Sequence, residues 1–151
     1  MKNILILMVT ISSFLAASNI QLMHASSVGE VSVSLNDKAF LKNVNYLDNT
    51  GLFAIERGVT LGVTPINSDN TVKLVLDNLG YGDYVVSAIG PTYNSKSIQL
   101  VSSNIRSFSN SREHFALKVL NGIVNESTVD IFVEDNLFYE KLNYGEYSNY
   151  F

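Results

Sequence analysis

The sequence predicts an all-β sandwich preceded by a short N-terminal signal helix. Three observations point there. Apolar residues alternate with polar ones in runs of five to seven, the period of half-buried strands. Turn residues break these runs about every 8–12 positions, the spacing of sandwiches and barrels. Beyond residue 18, no segment keeps a helical period long enough to define a helix.

The first 18 residues differ from the rest. Lys2 supplies a positive start, and Ile4–Ala17 runs apolar except for Thr10, Ser12 and Ser13. Small residues at Ala16, Ala17 and Ser18 form a cleavage pattern. The apolar run is short of the roughly 20 residues a membrane span wants. Residues 1–18 therefore read as a signal peptide, with cleavage at Ala17 or Ser18. A later site after Ala25, in Met23-His24-Ala25, is less favoured because it would cut into a strand around Ile20 and Leu22. The expected location is secreted, periplasmic or cell-surface, with no integral membrane span once the signal is removed.

The strands follow in order. Val31, Val33 and Leu35 alternate with serines, Asn36-Asp37 turns the chain, and Ala39–Val44 returns it as a hairpin. Leu52–Glu56 and Val59–Pro65 flank a turn at Arg57-Gly58. Val72, Leu74 and Leu76 mark another strand. Tyr84–Ile89 is apolar on both faces except for Ser87, the pattern of a central strand covered on both sides. Ile98 and Leu100 begin a weaker strand. The polar stretch 102–113 reads as a connector. His114–Leu120, Thr128–Val133 and Leu137–Leu142 are the last expected strands.

Composition narrows the function classes. The 151 residues are 46% hydrophobic and 16% charged, enough apolar material for a core. Net charge is −4 and no two basic residues are adjacent, which argues against nucleic acid and anionic membrane as partners. The chain has no cysteine, so stability rests on burial without disulfides, and thiol chemistry and Cys-based zinc sites are excluded.

Two stretches of the chain superimpose. Residues 31–46 and 129–144 match at a constant spacing of 98 positions, which pairs Asp37 with Asp135, Phe40 with Phe138, and Asn45-Tyr46 with Asn143-Tyr144. The match runs on to Phe53 and Phe151. With one gap, Ile20–His24 aligns with Leu117–Asn121.

These same residues carry a family resemblance. His24-Ala25-Ser26 with Val31–Leu35, and Val129-Asp130-Ile131-Phe132-Val133 with Tyr144-Gly145, resemble a bacterial extracellular domain-of-unknown-function family. Its members open with a His-Ala-Ser loop and a Val-Asp-Val-Tyr-Val strand. Tyr84–Gly90 is similar to a later strand of that family. The chain departs from the pattern in lacking Pro-Asp after Ser26 and in having Leu47 after Tyr46. The resemblance implies an immunoglobulin-like or transthyretin-like antiparallel sandwich, in tandem and outside the cell, with no activity that transfers.

The organisation expected is a signal peptide at 1–18, a β-sandwich unit at 19–101, the connector, and a partial second unit at 114–151. So short a second unit does not bury a core alone. Its strands are expected to complete the first unit, to pair with another chain through open edges, or to be the remnant of a longer tandem protein.

No catalytic constellation stands out. His24 and His114 lie at strand ends without a partnering acid or thiol, and read as structural. There is no Gly-x-Ser-x-Gly elbow, P-loop or His-Glu-x-x-His motif. Asp130, Glu134, Asp135 and Glu126 could supply oxygens to Ca²⁺, but read better as solvated charges. Asn125-Glu126-Ser127 is a formal glycosylation sequon. No cofactor is implied. Tyr139, Tyr144, Tyr147, Tyr150 and Phe151 form the candidate interaction surface, for self-association or for a surface protein or polysaccharide. The expected function is a non-enzymatic adhesion, binding or scaffolding module. The aromatic ending also resembles the closing strand of outer-membrane barrels, an alternative that the short strands disfavour.

Overall fold

The structure is a computed structural model and describes residues 18–76, 79, 81–91, 97–105 and 116–150. Residues 1–17 of the signal segment expected over 1–18, with Ala17, and also His114 and Phe151, lie outside the described residues.

Ten strands are present among the described residues: β1 (Ser18–His24), β2 (Val31–Leu35), β3 (Lys38–Val44), β4 (Asn49–Ile55), β5 (Thr60–Pro65), β6 (Val72–Val75), β7 (Asp83–Ile89), β8 (Gln99–Ile105), β9 (Thr128–Val133) and β10 (Asn136–Asn143). They form one sheet in the order β4-β1-β7-β8, a second in the order β3-β2-β5-β6, and a separate β9-β10 hairpin. The all-β sandwich expected from the alternation is thus observed. All pairings are antiparallel except β1 with β7, which run parallel from Asn19 and Asp83 to His24 and Ala88.

The alternation places one residue set between the sheets. Ile20, Leu22, Val86 and Ala88 of the first sheet meet Val31, Val33, Leu61 and Val63 of the second, all at 1% exposure or less. Ile55, Val44, Leu76 and Ile98 close the ends of this core. Close packing also explains Gly62, where an added Cβ would stand 2.5 Å from Ser34 Oγ.

Two strand expectations change. β8 continues to Ile105, so Ser102–Ile105 is sheet and not connector. The run Ser102-Ser103-Asn104 hid it, because a strand with few large apolar residues resembles a loop. Described residues 116–120 lack the ladder expected of His114–Leu120; a single antiparallel bridge joins Leu120 to Tyr147.

The two hairpins share their geometry. Val31↔Val44, Val33↔Leu41, Ser34↔Ala39 and Leu35↔Lys38 in the first correspond to Val129↔Leu142, Ile131↔Tyr139, Phe132↔Leu137 and Val133↔Asn136 in the second. The bulges fall at the same places, and Asn43 and Lys141 both take φ 56°. The turns match too: Asn36 and Asp37 lie at φ 48° and 61°, Glu134 and Asp135 at 49° and 64°.

Both central turn residues thus have positive φ, which suits Asn and Gly and strains Glu. Glu134→Asn is expected to stabilise the β9-β10 hairpin by about 0.5–1 kcal/mol. Amide hydrogen exchange across the hairpin should slow roughly three- to fivefold. Unchanged or faster exchange would contradict the strain assignment.

Candidate ligand-binding cleft

The outer face of the first sheet is built by the residues that alternate with the core. Gln21 and Met23 alternate with inward Ile20 and Leu22, and Val85, Ser87 and Ile89 alternate with Val86 and Ala88. Ser87 and Ile89 are nevertheless fully buried. The C-terminal segment covers them. The Tyr147 hydroxyl lies 2.6 Å from Ser87 Oγ, and the backbone at Gly122 and Gly145 packs on Ile89.

The segment is held by repeated local contacts. Val119 N–H donates to Ser148 Oγ at 3.0 Å, as Leu22 N–H donates to Thr50 Oγ1 at 2.9 Å. Asn121 N–H donates to the Glu146 carbonyl and Gly145 N–H to the Asn121 carbonyl, just as His24 N–H donates to the Asp48 carbonyl and Leu47 N–H to the His24 carbonyl. Asn121 Oδ1 accepts the Ile123 N–H at 3.1 Å, where His24 Nδ1 accepts that of Ser26 at 3.4 Å.

Between the sheet and this segment lies an open cleft of about 870 Å³. Its floor includes Met23, Val85 and Ile105, and its wall includes Leu117, Val119 and Ile123. Tyr46, Tyr147 and Tyr150 bring aromatic rings to it, with Gln21, Asn104 and Lys118 as polar groups. Lys118 Nζ sits 4.8 Å from the Tyr150 ring centre and 5.8 Å from that of Tyr147, and it also donates to Ser103 Oγ. The Tyr150 hydroxyl donates to the Asn104 carbonyl at 3.1 Å. A mostly apolar cavity of this size with few polar groups suits a small ligand or a chain segment.

The four described residues of the expected aromatic surface therefore separate. Tyr147 and Tyr150 converge on the cleft. Tyr139 lies on β10, and Tyr144 lies in the turn after it, where its hydroxyl is buried without a hydrogen-bond partner. Sequence reasoning missed Tyr46, Gln21, Met23 and Lys118. The outward phase of β1 was the available signal for Gln21 and Met23. Ser18, one of the two expected cleavage residues, is the first residue of β1.

His24 takes a structural place. It is fully buried, with Nε2 2.5 Å from the Gly29 carbonyl. A carbonyl only accepts, so Nε2 carries the proton and Nδ1 accepts from Ser26 N–H. Both ring nitrogens are thereby used to shape the loop that leaves β1. The acids considered for Ca²⁺ do not gather. Asp130 Oδ1 accepts the Lys141 N–H at 2.8 Å, and among the described residues no three His, Asp or Glu side chains form a metal-holding group.

No family model, curated protein or solved structure matches the chain.

His24→Ala would leave the Gly29 carbonyl and Ser26 N–H without their partner and open a cavity. It is expected to cost about 2–4 kcal/mol in urea denaturation, and a loss below about 0.5 kcal/mol would contradict the buried network.

Burial raises the Tyr147 phenol above its ordinary value, partly opposed by the Ser87 hydrogen bond, and burial raises Tyr144 too. A raised acid favours the neutral, folded form. Its stabilisation is complete below pH of about 10 and is lost as pH climbs from there through the raised value. Tyr147→Phe is expected to cost about 1–2 kcal/mol at neutral pH by stranding the Ser87 hydroxyl. It should also flatten the alkaline loss of stability, with the remaining slope due to Tyr144. Denaturation of both proteins between pH 8 and about 12 checks the sign.

Proposed function

We propose that this protein is an extracytoplasmic β-sandwich module that works by binding, adhesion or scaffolding and has no catalytic role. The observation that carries the reading is the apolar, tyrosine-lined cleft between the outer sheet face and the C-terminal segment. It offers contact area and one cation but no acid–base pair, since His24 is consumed by loop structure. The charged apolar start of the chain supports export. The shared register of the two hairpins supports a tandem arrangement, and with it the resemblance to the extracellular family. Sheets that remain open, with strands of at most eight residues among those described, do not favour the outer-membrane barrel alternative. No helix among the described residues is long and apolar enough to cross a membrane.

Cell fractionation with N-terminal sequencing tests export. Recovery outside the cytoplasm with a new terminus next to Ala17 or Ser18 is expected; recovery only in the cytoplasm with Met1 intact would refute it. Binding is tested with envelope polysaccharide and surface-protein fractions from the producing cells. Tyr150→Ala is expected to weaken retention by at least about tenfold, since truncating an interface aromatic costs over about 1.4 kcal/mol. No retention of the parent protein by either fraction would count against the adhesion reading.

A further inference from the structure

The two hairpins have the same internal geometry and opposite surroundings. β2 lies inside its sheet, with β3 on one side and β5 on the other. β9 has only β10. Val31 and Val33 are 0% and 1% exposed, whereas their counterparts Val129 and Ile131 are half-buried. Phe132 is 59% and Val133 38% exposed.

The first hairpin also shows which groups the open edge presents. Asn36 N–H donates to the Thr60 carbonyl, and Ile66 N–H donates to the Glu30 carbonyl. The even-numbered residues of β2 therefore face β5. Residues 98 positions on, Asp130 and Phe132, direct their N–H and C=O groups to the open side of β9.

The edges at β3, β6 and β4 carry protection. β3 has Lys38 and Lys42 and two bulges, and β6 is four residues long with Lys73. β4 contains Gly51 at φ 65° and a register break opposite. β9 reads Thr-Val-Asp-Ile-Phe-Val, with no Pro, Gly or Lys. Its single charge, Asp130, is turned back to the Lys141 N–H.

We propose that a second copy of this chain covers this edge, with β9 pairing antiparallel to β9 about a two-fold axis at Ile131. The charge pattern selects that register. Centring on Asp130 would oppose two Asp130 carboxylates, and centring on Phe132 would oppose Asp130 to Glu134. Centring on Ile131 opposes Asp130 to Phe132, Thr128 to Glu134, and Val129 to Val133. It also lets Asp130 and Phe132 exchange both backbone hydrogen bonds across the axis. The pairing makes a four-stranded sheet with one continuous strip of Val129, Ile131 and Val133 from both copies. The contact is isologous and closes on itself.

Sedimentation velocity over a concentration series tests this on the purified protein. A reversible dimer is expected. Phe132→Pro removes an N–H that the β9-β10 ladder does not use, so the hairpin stays folded by circular dichroism while dimerisation weakens at least about tenfold. Phe132→Lys, a charge on the same edge, gives the same result if the proline variant does not fold. The cysteine-free background allows a direct register check. Ile131 residues would face each other as a non-hydrogen-bonded pair, within disulfide reach. Ile131→Cys is expected to oxidise to a disulfide-linked dimer much faster than Val75→Cys, an exposed control on β6. A protein that stays monomeric throughout, including one that instead captures an unrelated strand, would overturn the proposal. Equal oxidation of the two cysteine variants would also overturn it.

Discussion

The fold depends on burial of both faces of β7. One face supplies Val86 and Ala88 to the core between the sheets. The other carries Ser87 and Ile89, which are equally inaccessible although they point away from that core. An outward face with an isoleucine must be covered, and a buried serine hydroxyl must be bonded. The backbone at Gly122 and Gly145 covers Ile89, and the Tyr147 hydroxyl bonds Ser87. The position of the C-terminal segment follows, and with it the cleft on the flank where the covering is incomplete.

Much of this was legible in the chain because it is local or repeated. The two-faced apolar character of Tyr84–Ile89 foretold a strand covered on both sides. Asn36-Asp37 foretold the first hairpin, and the 98-position spacing between Val31 and Val129 pointed to a second of like register. The strand containing Ile20 and Leu22 was legible only through alignment with Leu117–Asn121. The parallel pairing of β1 with β7 was not legible, since it joins residues more than 60 positions apart with no turn between them. Nor was the role of Ser102–Ile105 in β8. The cleft was legible only in part. Aromatic clustering marked Tyr147 and Tyr150, but the same clustering included Tyr139 and Tyr144, which the bulge and the turn of the second hairpin carry elsewhere. Lys118 and Tyr46 reach the site through tertiary packing that no local pattern encodes.

The comparison of His24 with Asn121 shows how similar backbones tolerate different side chains. Both residues accept an N–H from two positions downstream and sit beside a matching four-residue turn. His24 spends its second nitrogen on Gly29, while Asn121 spends its amide on the Leu142 carbonyl at 3.0 Å. The histidine therefore anchors a loop and the asparagine anchors a strand. A buried histidine invites a catalytic reading. Here the neighbouring copy of the motif supplies the better explanation, since the position needs an acceptor of fixed direction and either residue provides one.

The same reasoning separates what a strand is from where it sits. β2 and β9 share register, bulges and turn dihedrals, so local sequence determines the hairpin in both. Their exposure differs because exposure is a property of neighbours. β2 has β5 on its second edge and the opposite sheet beneath it. β9 keeps the apolar alternation of an interior strand, Val129, Ile131 and Val133, without an interior strand's surroundings. Polar substitution at these positions would leave the hairpin ladder intact, because the ladder is made by backbone groups. The retained apolar character thus goes beyond what the hairpin itself requires, and it is the physical property that an added strand would use.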